Sequence, residues 1–198
     1  MPAGGASSKY LFFNVCRGRR SGRTGWCALM LVSWIKEWSR ARAVRGIGIE
    51  TSVAEPDFDR FVQQAADAFA APIALLTLIE SDTMWVKAAK GFDVECAARK
   101  DSFCTHAIDR CEPLEVCDAS VDPRFRDLPG VKGDPLIRYY IGAPLTLIDG
   151  TDIGALCVID TTPRAPASRD QRAYLVALAR QAALALDRRA HVRATAAA

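Results

Sequence analysis

Four residues between positions 104 and 117 have side chains that can act as nucleophiles, bases or metal ligands. They are Cys104, His106, Cys111 and Cys117. Cys104 and His106 suggest a nucleophile with its general base, but residues two apart on a helix point about 200° from each other. Cys104 instead shares a helix face with Ala107 and Ile108, which favours a core cysteine. A zinc site is also disfavoured, because this ligand spacing is not one of the usual zinc patterns.

Two carboxylates, Asp118 and Asp122, stand four residues apart in a long polar segment. One interpretation places them at the polar rim of a binding site. The other, which we favour, is structural. In it Asp122 caps the turn that begins at Pro123, and Asp118 pairs with Arg124 or Arg138.

The spacing of apolar residues predicts the elements that position these side chains. A stripe over residues 58–69, with Pro56 in its first turn, predicts an amphipathic helix. The apolar run 73–79 and the segment 84–89 predict an antiparallel hairpin. Asp101 or Ser102 then caps a short helix that contains Cys104.

The second half of the chain predicts more strands and a closing helix. The strands are 114–117, 139–148 and 153–159, with a long loop over 118–135. The last strand is apolar on both alternating faces, which is typical of a central strand. Ser168 and Gln171 form a capping box ahead of a terminal helix. The order of elements predicts an α+β fold on a largely antiparallel sheet.

Charge divides the chain into two unequal parts. The 198 residues carry a formal net charge of +3. Residues 1–50 hold nine Lys or Arg and two Asp or Glu, which gives a charge of +7. The remaining residues hold seventeen Lys or Arg and twenty-one Asp or Glu, which gives −4. With 50% apolar residues the composition excludes a disordered chain. Because the basic charge belongs to the extension, the overall balance does not indicate nucleic-acid binding. The seven cysteines form an odd set without a CxxC pair, which favours reduced thiols and a cytoplasmic location.

The basic extension has its own pattern. Leu31, Ile35 and Trp38 recur at helical spacing, which predicts a short amphipathic helix with basic flanks. The apolar run here is about ten residues, and a membrane-spanning helix needs about 20, so we expect no transmembrane segment. We expect residues 1–50 to be poorly ordered, and we expect their removal to leave the rest of the chain folded.

Five motifs in order resemble the bacterial GAF domain family. They are RKDSFCTHAI (99–108), PLEVCDASVDPRF (113–125), LPGV (128–131), IRYYIGAPL (137–145) and GALCVID (154–160) followed by Pro163-Arg164. The resemblance covers about residues 54–189 and leaves the extension outside. It divides the chain into a basic extension (1–50), a GAF domain (51–190) and a C-terminal tail (191–198), with no output domain following.

The resemblance implies a six-stranded antiparallel sheet with the first and last helices on one face and a small-molecule pocket on the other. Tyr139 and Tyr140 are adjacent on a strand, so one should face the pocket and the other the helices. Aromatic residues can line the pocket or belong to the core, and spacing does not choose between them. The candidate ligand-binding residues are Trp85, Phe103, Cys104, Asp118, Phe125, Arg138 and Tyr140.

The resemblance also implies a function, a non-catalytic regulatory domain that senses a small ligand in bacterial signal transduction. Its implied partners are a histidine kinase or a diguanylate cyclase, and its terminal helices predict a homodimer. One alternative is a degenerate domain used only for dimerisation or partner binding. Another is a thiol-dependent reductase that uses Cys104. Covalent bilin attachment is disfavoured, because Thr105 separates Cys104 from His106, whereas the bilin-binding subfamily has its histidine directly after the cysteine.

Overall fold

A six-stranded antiparallel sheet lies at the centre of the computed structural model, which describes residues 25–48, 56–108, 110 and 112–196. The strands are β1 (Ile73–Glu80), β2 (Thr83–Lys90), β3 (Cys96–Ala98), β4 (Leu114–Val116), β5 (Tyr139–Thr146) and β6 (Asp152–Asp160). Their order across the sheet is β3-β2-β1-β6-β5-β4. The predicted hairpin is confirmed as β1 and β2, and the predicted central strand as β6, which pairs with β1 and β5.

Helices precede, interrupt and follow the sheet. They are α1 (Gly25–Ile47), α2 (Pro56–Phe69), α3 (Cys104–Ala107), α4 (Pro129–Lys132) and α5 (Arg169–Ala196), and a 3-10 turn covers Arg99–Asp101. The fold is therefore of the α+β class, as predicted. Within the described helices, none is both long and apolar enough to cross a membrane.

Helices α2 and α5 pack on one face of the sheet through the predicted stripes. The stripe of α2 (Phe58, Phe61, Val62, Ala65 and Phe69) and that of α5 (Leu175, Leu178, Ala182 and Leu186) are buried. The capping box is present, since the Gln171 amide donates to Ser168 Oγ at 3.1 Å and the Ser168 amide donates to Gln171 Oε1 at 3.0 Å. These reciprocal bonds fix the point at which α5 begins.

Helix α1 differs from the expected poorly ordered extension, because its last turns pack against the core. Arg40, Val44 and Ile47 share a face at helical spacing and are at most 2% exposed. Arg40 Nε donates to the Asp152 carbonyl at 2.6 Å, and Arg189 Nε donates to the Ile47 carbonyl at 3.0 Å. Residues 34–48 thus contact the folded core, although they precede the predicted domain.

Helix α5 continues through residues 191–196, the segment that was expected to form a C-terminal tail. Residues 1–24, 49–55, 197 and 198 lie outside the described part of the chain, as does Cys111, a candidate metal ligand.

Candidate ligand pocket

A pocket of about 270 Å³ opens on the face of the sheet opposite α2 and α5. Its floor comes from β1, β5 and β6, and its walls come from segment 92–104 and segment 129–137. Most of the lining is apolar: Ile73, Leu75, Met84, Phe92, Val94, Ala97, Ala98, Phe103, Pro129, Pro135, Ile137 and Ile159. Strand β1 is buried on both faces. It therefore supports both the pocket and the apolar core between the sheet and helices α2 and α5, which we call the helix-side core.

Three aromatic rings form a stack, and two of them, Phe103 and Tyr140, line the pocket. Phe103 lies between the others, with its ring centroid 4.6 Å from that of Phe125 and 4.9 Å from that of Tyr140. The ring planes differ by 17° and 19°. His106 meets the outer ring, Phe125, edge-on at 5.1 Å. The stack fixes the position of Phe103, because burial and ring contact on both sides restrict its rotamers.

Tyr140 reaches the pocket because Gly142, two residues along the same strand, has no side chain. A Cβ at Gly142 would lie 2.2 Å from the Tyr140 hydroxyl, so only glycine leaves room for the phenol. The hydroxyl donates to Cys104 Sγ at 3.4 Å. Tyr139 packs on the helix side, which confirms that the two tyrosines face opposite ways.

Cys104 is held at the pocket wall by the local structure of its short helix. Ser102 Oγ accepts the Cys104 amide at 3.0 Å, as predicted for a residue that caps this turn. Cys104 is buried, whereas His106 is exposed. This confirms that the two side chains point apart. Cys104 Sγ lies 3.9 Å from the sulfur of Cys157 on β6.

The pocket has two acidic residues in its lining. Asp101 and Asp134 line it together with the apolar residues, and Asp134 is exposed. Ser102, which also lines the pocket, donates its hydroxyl to the sulfur of Met84 at 2.9 Å. The pocket therefore combines an apolar interior with negative charge. Across the described residues, no three His, Cys, Asp or Glu side chains meet in a way that could hold a metal ion.

Three of the seven candidate site residues line the pocket and a fourth supports it. Phe103, Cys104 and Tyr140 are lining residues, and Phe125 lies behind Phe103 as the outer ring of the stack. All four are buried in one cluster on this side of the sheet.

The other three candidates, Trp85, Asp118 and Arg138, lie away from the pocket. Trp85 packs against the helix-side core, because its neighbour Met84 takes the pocket side of β2. Asp118 Oδ1 accepts the amide and hydroxyl of Ser120 at 2.9 and 2.6 Å, so Asp118 stabilises a turn. Arg138 donates to the carbonyls of Val131 and Ile137, both at 3.0 Å, and thereby fixes the loop before β5.

Asp122 has the predicted structural role. Its Oδ1 accepts the Arg124 amide at 2.9 Å, which caps the turn. The Arg124 guanidinium also binds both carboxylate oxygens, at 3.0 and 2.6 Å. This side-chain hydrogen bonding lowers the pKa of Asp122 below its usual value. The arginine that we expected to pair with Asp118 therefore pairs with Asp122.

Sequence reasoning missed several pocket residues, chiefly Ala97, Asp101 and Asp134, and it missed Cys157, which lies behind Cys104. The pattern around Cys157 indicated a strand buried on both sides, which does not distinguish a core thiol from one beside a pocket. Asp101 was considered only as a helix cap. Asp101 lies two residues before the candidate residue Phe103, and this closeness was the signal that could have identified it as a pocket residue.

A model of the GAF domain family matches residues 54–186. The chain belongs to the GAF domain family. A cyclic di-GMP phosphodiesterase of Pseudomonas aeruginosa is 41% identical over 144 residues, which cover 73% of this chain and 24% of that protein. The chain thus spans about a quarter of that relative's length.

Solved GAF domains share the fold at lower identity. The GAF domain of an Acinetobacter phosphoenolpyruvate-protein phosphotransferase superposes with a TM-score of 0.57 at 21% identity, covering 83% of this chain and 98% of that one. A type II free methionine-R-sulfoxide reductase from Thermoplasma acidophilum superposes with a TM-score of 0.55 at 17% identity, covering 67% and 92%. At these identities the likeness concerns the fold.

Proposed function

We propose that this GAF domain is a non-catalytic sensory module for a small, mostly apolar molecule with a cationic or N–H donor end. The observation that carries the proposal is the pocket of about 270 Å³, whose apolar and aromatic lining includes two carboxylates. An apolar cavity with a few polar groups is typical of a site that binds a small organic ligand. In a degenerate domain we expect side chains to fill the pocket. The open volume of about 270 Å³ therefore argues against that alternative.

The charge of the pocket favours one class of ligand over another. A carboxylate repels a phosphate or carboxylate brought within a few ångströms and attracts an ammonium group. Asp101 and Asp134 therefore disfavour nucleotides, including cyclic di-GMP. The volume is close to the lower end for ligand pockets, about 300 Å³, which favours a molecule of one or two rings.

The pocket is connected to helix α1 by the segment that forms its wall. Asp101 and Ser102 line the pocket, and Arg99 in the same 3-10 turn binds Glu37 of α1 through two bonds of 2.5 and 3.0 Å. Glu37 also accepts from Arg40 at 2.6 Å. We infer that a ligand which displaces this turn changes the position of α1, and that α1 passes the signal on.

The output partner is proposed from the relative. A domain 41% identical occurs in a cyclic di-GMP phosphodiesterase, which supports an output that makes or degrades this nucleotide. A histidine kinase or a diguanylate cyclase as partner and a homodimer through the terminal helices stay predictions. Exposed apolar side chains on α5, Leu184 and Val192, support the predicted homodimer.

Binding is tested with two molecules that share one ring system and differ in charge. Tryptamine carries an ammonium group and indole-3-acetate carries a carboxylate. Thermal unfolding of the full chain is followed while each is titrated. A ligand at about 100 times its Kd stabilises by about 2.7 kcal/mol, which for a chain of this size corresponds to roughly 5–11 °C in Tm.

We expect tryptamine to raise Tm in the wild type and indole-3-acetate to have little effect. Ala97→Phe should abolish the shift, because Ala97 lines the pocket and a phenyl ring would fill it. Ala177→Phe is the matched control, because Ala177 is exposed on α5, on the opposite face of the sheet. The proposal is wrong if neither compound binds, if the anion binds better, or if Ala97→Phe binds as the wild type does.

A reductase that uses Cys104 stays an alternative prediction. Its expected base, His106, is exposed, and the hydrogen-bond partners of Cys104 Sγ are instead Cys157 and Tyr140. This arrangement favours sensing over nucleophilic catalysis by a cysteine–histidine pair.

A further inference from the structure

Two buried thiols from distant parts of the chain meet beside the pocket. Cys104 begins α3 and Cys157 lies in the middle of β6, and their sulfur atoms are 3.9 Å apart. Cys104 is among the residues that line the pocket and Cys157 is not, so a small solute in the pocket lies nearer to Cys104 than to Cys157. A disulfide bond requires about 2 Å between the sulfurs, and rotation about the Cα–Cβ bonds moves a sulfur over such distances.

The surroundings of Cys104 favour its reactive thiolate form. The hydrogen bond with Cys157 lowers the pKa of Cys104, burial opposes this, and the hydrogen bond from Tyr140 adds to the lowering. The pKa of Cys157 is raised well above its usual value, chiefly by the hydrogen bond with Cys104, because the two sulfurs share one proton. Because Cys104 lines the pocket and Cys157 lies behind it on β6, we assign the attacking role to Cys104 and the resolving role to Cys157.

We propose that Cys104 and Cys157 form a redox site, in which a small hydroperoxide that enters through the pocket oxidises the two thiols to an intramolecular disulfide. In the first step Cys104 sulfur attacks the O–O bond and becomes a sulfenic acid, and water (or an alcohol) leaves. In the second step Cys157 sulfur attacks the sulfenic sulfur and releases water. The two thiols lose two electrons and two protons, and one hydroperoxide is reduced.

This proposal uses the pocket as an access route and does not depend on a signalling ligand. The disulfide would tie α3 to the central strand and draw Cys104 away from the pocket, towards β6. Because Cys104 directly follows Phe103, the bond would also shift the aromatic wall. Oxidation would therefore change the shape of the pocket.

The test uses hydrogen peroxide on the reduced full chain, followed by blocking of free thiols and digestion with trypsin. The sequence separates the relevant cysteines, since peptide 101–110 contains Cys104, peptide 139–164 contains Cys157 and peptide 91–99 contains Cys96, each with one cysteine. We expect a cross-linked species of peptides 101–110 and 139–164 that is two hydrogen masses lighter than their sum. Dithiothreitol should separate it again. Cys96 is exposed and serves as the internal reference for non-specific oxidation.

Two variants keep the proposal falsifiable. In Cys157→Ser the second step is lost, so Cys104 should accumulate as a sulfenic acid that dimedone traps. Ala97→Phe should slow oxidation of Cys104 severalfold and leave that of Cys96 unchanged. The proposal is overturned if peroxide oxidises Cys96 while Cys104 and Cys157 stay reduced, if Cys104 pairs with another cysteine, or if Ala97→Phe has no effect on the rate.

Discussion

Replacing Ile47 by Ala measures whether α1 belongs to the folded domain. Ile47 is fully buried against the helix-side core, and the neighbouring Val44 is equally buried. Truncation of a buried isoleucine to alanine costs about 2–5 kcal/mol through lost burial and the cavity that remains. A loss near 3 kcal/mol would lower Tm by roughly 6–12 °C in a chain of this size.

The matched control is Ile35→Ala in the same helix. Ile35 is 54% exposed, so its truncation should change stability by less than about 0.5 kcal/mol. Both changes replace isoleucine by alanine within α1, so the two variants lose the same side-chain atoms and differ in the burial of the position. Urea unfolding gives both free energies, and equal slopes in the two variants exclude a change in the unfolded state.

Equal stability losses in Ile47→Ala and Ile35→Ala would refute the reasoning, because the buried position would then be no different from the exposed one. The same packing bears on the expectation that the chain stays folded without residues 1–50. Removal of residues 1–50 deletes Val44 and Ile47 and exposes the core beneath them, so we expect the truncated chain to be clearly less stable than the full chain.

Two further predictions concern the site and its loops. Gly142→Ala should lower the free energy of unfolding in urea by about 1–3 kcal/mol, because the added methyl group overlaps the buried Tyr140 hydroxyl. Adding Tyr140→Phe should recover part of this loss, and the absence of any recovery would contradict the explanation. Asp122 has a lowered pKa when folded, so its stabilisation is present above the unfolded pKa of about 4 and is lost as the pH falls through the folded value. Asp122→Asn should therefore flatten the fall in stability below about pH 4, and an unchanged pH profile would contradict it.

The sequence predicted the helices and strands that pack through regular apolar stripes. Hydrophobic spacing decides which face of α2 and of α5 packs on the sheet. The capping box at Ser168 and Gln171 fixes the start of α5. Helix geometry alone predicted that the side chains of Cys104 and His106 point in different directions. These features are local, so a short segment contains the information that decides them.

The features that the sequence did not reveal depend on contacts between distant segments. In α1 the stripe of Ile35 and Trp38 is exposed, while the packed face is made by Arg40, Val44 and Ile47. A search for apolar residues at helical spacing does not detect this face, because one of its residues is an arginine. Arg40 is buried there because its guanidinium binds Glu37 and the Asp152 carbonyl. Sequence spacing contains no information about an acceptor more than a hundred residues away.

Trp85 shows the same limit within the sheet. Both faces of β2 pack against apolar residues, so alternation in the sequence does not indicate which face is the pocket side. The registers of β1–β2 and β2–β3 decide it, and they place Met84 towards the pocket and Trp85 towards the helices.

Segment 97–105 is where the proposed ligand site, the thiol pair and α1 come together. Ala97 and Ser102 line the pocket, and Cys104 reaches the central strand. Arg99 holds Glu37 and the Ser81 carbonyl, while the Thr105 hydroxyl donates to the Arg99 carbonyl at 2.8 Å. A ligand and a disulfide would therefore act on the same few residues, and either change would reach α1 through the Arg99–Glu37 contact.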